Sequence, residues 1–281
     1  MKRPAVWGLG LALVGLSACT TSGASAPQTP EIRDGGAETD PPPTEPARID
    51  DATPAEVDAA APLASACPDD MVLAEGEYCP SPVQICKRWL DPPGPYQDYR
   101  CAEYVKPSRC GSAPGAKERK RFCIDREEYA APGETLPLAN QSWTSAGEVC
   151  EKLGKRLCLE SEWQFACEGE EMRPYPYGFT RDATACNIDR TDLGRPNGGL
   201  KDLREPITAR PRCVSPFGVH GMSGNIEEWA TLDDGKPPDR SSMKGAWWLP
   251  GKNTCRARTL GHGEIYRGKQ VGVRCCKDAG G

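Results

Sequence analysis

Between Lys244 and Arg258 the chain reads KGAWWLPGKNTCRAR. Its single cysteine, Cys255, stands between the paired Trp247 and Trp248 and the triplet Arg256-Ala257-Arg258. Two flanking guanidinium groups can depress a thiol's pKa and make it a nucleophile or a metal ligand, whereas in an oxidising compartment the same residue can be half of a structural disulfide. The paired tryptophans can stack on a sugar or a peptide if they line a groove. Adjacent residues of a strand point to opposite faces, so the plainer alternative puts one in the core and one outside. Other chemistry is thinly represented. The two histidines, His220 and His262, lack ligand spacing and no C-x-x-C occurs, which argues against zinc. No nucleophile-elbow pattern supports Ser-His-Asp hydrolysis.

The compartment bears on Cys255. Lys2 and Arg3 precede an apolar run from Ala5 to Leu16, and Leu16-Ser17-Ala18-Cys19 follows. That run is too short to span a bilayer and has the shape of a secretory signal. It resembles a bacterial lipoprotein signal over residues 1–18, in which Cys19 would be acylated and become the first residue; Thr20 in place of Asp leans toward the outer membrane. Residues 19–66 hold the lipidated cysteine and then a run with no aromatic residue, eight prolines and nine acidic residues against Arg33 and Arg48. Such a segment cannot build a core and is read as a disordered tether, reaching on the order of 100 Å if extended. With the acidic charge placed there, residues 67–281 are close to neutral, which leaves no electrostatic footprint for nucleic acid. Of the 15 cysteines, fourteen lie from Cys67 to Cys276. An even number in an exported domain argues for up to seven disulfides.

Two segments carry helix signals. One covers Ser145 to Leu153, with Ser145 and Glu148 at capping-box spacing, Gly154 as a stop, and Glu148, Glu151 and Lys152 facing outward. The other runs from Glu160 to Cys167 or Glu168, with Trp163, Ala166 and Cys167 on one face and Gly169 ending it. Dense Gly and Pro elsewhere predict short strands in a loop-rich α+β domain stapled by disulfides.

Several stretches in order carry a resemblance. They are Met71 to Tyr78 (MVLAEGEY), Phe122 to Tyr129 (FCIDREEY) and Gly154 to Trp163 (GKRLCLESEW), then Tyr177-Gly178, Asn187-Ile188, Phe217 to Trp229 with GNIEEW at its end, and Gly272-Val273-Arg274-Cys275. Together they resemble the landmarks of formylglycine-generating enzymes, the sulfatase-modifying factors, across Met71 to Cys276. The resemblance implies an irregular α+β fold related to C-type lectin-like domains.

The family's activity, oxidation of a substrate cysteine to formylglycine, uses copper held by two cysteines near the chain's end. Here Gly245-Ala246-Trp247 takes the place of the segment that opens that region, and Cys255-Arg256-Ala257-Arg258 resembles the structural cysteine that closes it. The eight residues between Ala246 and Cys255 contain no cysteine, so both copper ligands are missing. Carried over, the resemblance implies bridges from Cys167 to Cys255 and from Cys150 to Cys275; Cys186 with Cys213 is a further guess. It also implies calcium sites, one using Glu228 with the carbonyls of Gly224 and Ile226, the other using Asn187 and the carbonyl of Ile188. Gly221, where the family has a side-chain ligand, is a departure at the first site. Iron, which some relatives use, would need a histidine cluster, and the chain has two histidines in separate loops. The expectation is therefore a non-catalytic binding or scaffolding module at the cell envelope, with calcium or, where Gly224-Asn225 is only a turn and Trp229 a core residue, no metal, and with neither copper nor iron. Its ligand would be a peptide or glycan, with Trp247 and Trp248 at the groove. The alternative is a periplasmic modifying enzyme that uses a carboxylate, Glu227 or Glu228, in place of copper-thiolate chemistry.

Overall fold

The computed structural model describes residues 65–111, 117–194 and 199–280; Cys19, the expected signal segment and the tether up to residue 64 lie outside the described residues. Elements are numbered in chain order. Strand β1 (Met71–Tyr78) has core-facing positions at Met71, Ala74, Gly76 and Tyr78 or their flanks, and pairs antiparallel along its whole length with β6 (Glu118–Asp125). Strand β12 (Cys275–Asp278) lies on the other side of β6, and β7 (Arg156–Leu157) completes the order β1-β6-β12-β7. A second sheet has the order β10 (Arg258–Thr259), β9 (Ser241–Lys244), β8 (Glu227–Thr231), β11 (Val271–Gly272), with β8 and β11 parallel. Between β1 and β6 the chain makes an arm of two short antiparallel ladders, β2 (Pro82–Val83) with β5 (Arg109–Cys110) and β3 (Cys86–Trp89) with β4 (Cys101–Tyr104).

Helix α1 covers Trp143–Lys152 and so begins before the predicted Ser145. The cap is Ser142: its hydroxyl accepts from the Ser145 N–H at 3.1 Å, and the Ser145 hydroxyl accepts from the Ser142 N–H at 2.9 Å. Ser145 is therefore the third-residue partner of a capping box and not its start, an ambiguity created by two serines three apart. Glu148, Glu151 and Lys152 do face solvent.

Helix α2 covers Glu160–Glu168, and the Glu162 carboxylate accepts from the Leu159 N–H at 2.8 Å to close its first turn. One buried face was expected, but all nine residues are buried. The cause is position: α2 packs against β1 and β6 of one sheet and β8 and β9 of the other, so it has no solvent side.

Seven disulfides use all fourteen cysteines of the region: Cys67–Cys123, Cys79–Cys110, Cys86–Cys101, Cys150–Cys275, Cys158–Cys276, Cys167–Cys255 and Cys186–Cys213. Cys275 and Cys276 are neighbours on β12 and point to opposite faces, so one ties the strand to α1 and the other to the turn before α2. The result is an α+β, loop-rich and disulfide-rich fold.

Candidate functional site

The KGAWWLPGKNTCRAR segment leaves β9 through Gly245 and Ala246, both with positive φ (82° and 57°), and returns to the body at Cys255. Cys255 is fully buried, bonded to Cys167 at the end of α2, and donates its backbone N–H to the Pro174 carbonyl at 2.8 Å. Arg256 does not activate a thiol. Its guanidinium clamps the buried Glu168 carboxylate and also bonds Gln164, the Tyr78 hydroxyl and the carbonyls of Cys79 and Pro80. It thereby joins the end of α2 to the end of β1. The sulfur atoms of this region are committed to bridges, so the residues present do not fit copper held by two thiolates.

Glu227 and Glu228 are adjacent on β8 and separate to opposite faces. Glu228 enters the core. Its Oε1 accepts from Arg274 Nη2 at 2.7 Å, and its Oε2 accepts from Arg274 Nε at 2.8 Å and from the Trp163 indole at 2.6 Å. Both ions are buried, at 1% and 0% side-chain exposure. Arg274 also donates Nη1 to the Asp125 carbonyl and Nη2 to the His220 carbonyl, so the buried pair is anchored by hydrogen bonds beyond its own. Glu228 is therefore a core anchor with no oxygen to spare for acid–base work.

Glu227 faces a cleft of about 610 Å³ lined by Trp247, Thr259, Arg258 and Ala246 from the body and by Trp89, Tyr99 and Tyr104 from the arm. Only 5% of Glu227 is exposed. Its Oε1 accepts from the Thr259 hydroxyl at 2.7 Å, and among the described residues no cation pairs with it. Burial consequently holds the carboxyl up to about 7, the Thr259 hydrogen bond opposing only part of that shift. Trp248 is buried at 2% exposure, while Trp247, with its ring centroid 4.9 Å from that of Trp248, remains half-buried at the cleft.

The arm is held in place by Arg100. It pairs with Asp91 within the arm and with Asp189 of the body at 2.9 Å; Asp189 in turn binds Arg181 at 2.8 Å. Trp89, Tyr99 and Thr259 were not singled out from the sequence. The aromatic density of Trp89-Leu90-Asp91-Pro92-Pro93-Gly94-Pro95-Tyr96-Gln97-Asp98-Tyr99 was the available signal.

The residues assigned to calcium form packed turns. Gly224 (φ 81°) lies so close to the Asn187 loop that a Cβ there would sit 2.2 Å from the Asn187 carbonyl oxygen and 2.4 Å from the Ile188 side chain. Asn187 donates to the Leu203 carbonyl at 2.8 Å and to Asn225 Oδ1 at 3.0 Å, and its own Oδ1 faces the Arg190 guanidinium at 3.5 Å. Glu228 is held by Arg274 and a guanidinium stands beside Asn187, while the buried Glu128, which accepts from Asn225 Nδ2 at 2.6 Å, keeps Oε1 without a partner among the described residues. Glu228, assigned to calcium from the resemblance, has Arg274 as its counter-charge in this structure. Among the described residues no group of three or more His, Cys, Asp or Glu is placed to hold a metal ion.

Residues 97–279 match the sulfatase-modifying factor enzyme 1-like domain. Over 156 residues the chain is 29% identical to inactive C-alpha-formylglycine-generating enzyme 2 of Mus musculus, covering 52% of this chain and 50% of that protein. A stretch of 101 residues is 30% identical to formylglycine-generating enzyme of Bos taurus, covering 34% of this chain and 26% of that protein. The chain thus spans about half the length, or less, of these curated relatives. Among solved structures, that of CarF superposes with a TM-score of 0.51 and 13% identity over 75% of this chain and 98% of that one, which shows a shared fold alone. With its domain matched over well more than half of the sequence, the chain belongs to the sulfatase-modifying factor family.

Proposed function

We propose that this chain is a cell-envelope lipoprotein, acylated at Cys19 and tethered at the outer membrane, whose sulfatase-modifying-factor-like domain binds a ligand without oxidising it. One observation carries the reading. All fourteen cysteines from Cys67 to Cys276 are in disulfides, Cys255 with Cys167 among them, so the domain presents no thiolate pair at which oxygen could be activated. The domain keeps a preformed cleft with aromatic residues from two parts of the fold, which suits recognition.

A second reading, a modifying enzyme working through a carboxylate, is favoured by Glu227 alone. A carboxyl held up to about 7 at the bottom of a cleft can give or take a proton near neutral pH. One assay separates the readings. The purified protein is incubated with a cysteine-containing sulfatase-type peptide, copper and reductant, and the peptide is analysed by mass. Unchanged thiol is expected. Conversion to the aldehyde would overturn the non-oxidising reading, and a different covalent change that is lost in Glu227→Gln would select the carboxylate enzyme.

A further inference from the structure

We infer that the cleft is an oligosaccharide site in which Trp247 and the arm aromatics Trp89 and Tyr99 stack on sugar rings and Glu227 hydrogen-bonds sugar hydroxyls from below. The inference rests on the reading of this cleft as a ligand site and names the ligand's class. Its first support is Glu227 itself. The side chain is more than nine-tenths buried, yet it lines the cleft; Oε1 is satisfied by Thr259, and Oε2 has no partner among the described residues. That oxygen opens onto the cleft, where a ligand hydroxyl can replace water as its partner.

The second support is the pattern of the lining. A carboxyl and the Thr259 hydroxyl lie beside Arg258, whose half-exposed guanidinium pairs with Glu160 at 3.0 Å, while the aromatic rings come from the arm and from the 246–259 segment. Pyranose rings have that complementary character, with apolar C–H faces and hydroxyl edges. Each side of the cleft is fixed: the arm by its Cys86–Cys101 bridge and the Arg100–Asp189 pair, the other side by the Cys167–Cys255 bridge. A rigid site loses little entropy on binding.

A peptide suits the cleft less well. Extended peptides are captured mainly by main-chain hydrogen bonds along a free strand edge. Here the edge strand is β10, only two residues long, Arg258 and Thr259. The charged groups around Glu227 are Arg258 on β10, Arg256 in the segment leading into it, Lys252 beyond Trp247 and Asp98 on the arm; none forms an ion pair with it. The ligand therefore meets a neutral carboxyl able to donate as well as accept when the pH is below about 7.

The test titrates the detergent-solubilised full chain with chitotetraose, a neutral probe, and tetragalacturonate, an acidic one, following tryptophan fluorescence. Saturable binding of at least one is expected, weakened about tenfold or more in Trp247→Ala and in Glu227→Ala. Glu227→Gln, which keeps a donor and an acceptor, is expected to bind within about threefold of the wild type near pH 6 and to lose the decline in affinity that the wild type shows toward pH 8. Thermal melts identify any variant that fails to fold; Trp247→Ala and the pH profile of Glu227→Gln then carry the test. Binding of neither sugar, or binding untouched by both Trp247→Ala and the Glu227 variants, overturns the inference. Capture of the cysteine peptide without conversion also overturns it while leaving the proposed function standing. Aldehyde formation on that peptide overturns the proposed function itself.

Discussion

The buried pair Glu228–Arg274 shows how the family's landmark residues serve this fold. Glu228 from GNIEEW accepts directly from both Arg274 of the closing GVRC and Trp163 of ESEW in α2. Asp125 of the CID strand holds Lys155 of GKRL at 2.6 Å and accepts from the Cys275 N–H at 2.8 Å. Replacing Glu228 by Gln keeps the side chain's shape and leaves Arg274 buried without its counter-charge. A loss of about 3–5 kcal/mol is expected in denaturant unfolding, and a loss within error would show that the pair is not the anchor described.

Glu227 gives a pH signature of its own. Its carboxyl rises from the ordinary 4.5 to about 7 in the folded state. Below the lower value both states are protonated and the contribution is fully present. Between the two the unfolded chain releases a proton that the folded protein keeps, so stability falls with rising pH and levels off above the folded value. Glu227→Gln lacks this loss. Its stability relative to the wild type should grow across that window, by on the order of 3 kcal/mol, and parallel unfolding curves would contradict the placement of Glu227.

At the scale of elements, α1 depends on a cap and α2 on its surroundings. Ser142→Ala removes one side of the α1 capping box, and about 1 kcal/mol of stability should go with it. Because α2 is enclosed by two sheets and tied at its end by Cys167–Cys255 and by Arg256–Glu168, its stability comes from packing rather than from propensity. That bridge closes a separation of 88 residues and Cys150–Cys275 one of 125, which the chain-entropy view values at about 4–5 kcal/mol each.

For the whole molecule, the proposal is a stapled domain carried on an acidic, proline-rich tether from an acylated cysteine. Mass spectrometry of unreduced, alkylated protein should find none of the fourteen domain cysteines labelled and acyl mass on Cys19. A labelled Cys255 would return thiol chemistry to the cleft, and a Cys19 without lipid would remove the anchor. Cys19→Ala is expected to release the protein from the membrane fraction.

The even cysteine count, the order of the landmarks and the absence of cysteine between Ala246 and Cys255 could be read from the sequence alone, because each depends on residue identity and order. The second helix was legible too, through its Gly169 stop. What depended on tertiary structure was direction and partnership. Nothing in the string Glu227-Glu228 says which carboxylate meets an arginine 46 residues away and which faces a cleft. The pleat turns neighbouring residues to opposite faces, and only the packing of α2 against both sheets decides which face is core. For the same reason the arm's Trp89 and Tyr99 gave no sign of a site until the fold brought them to the same cleft as Trp247.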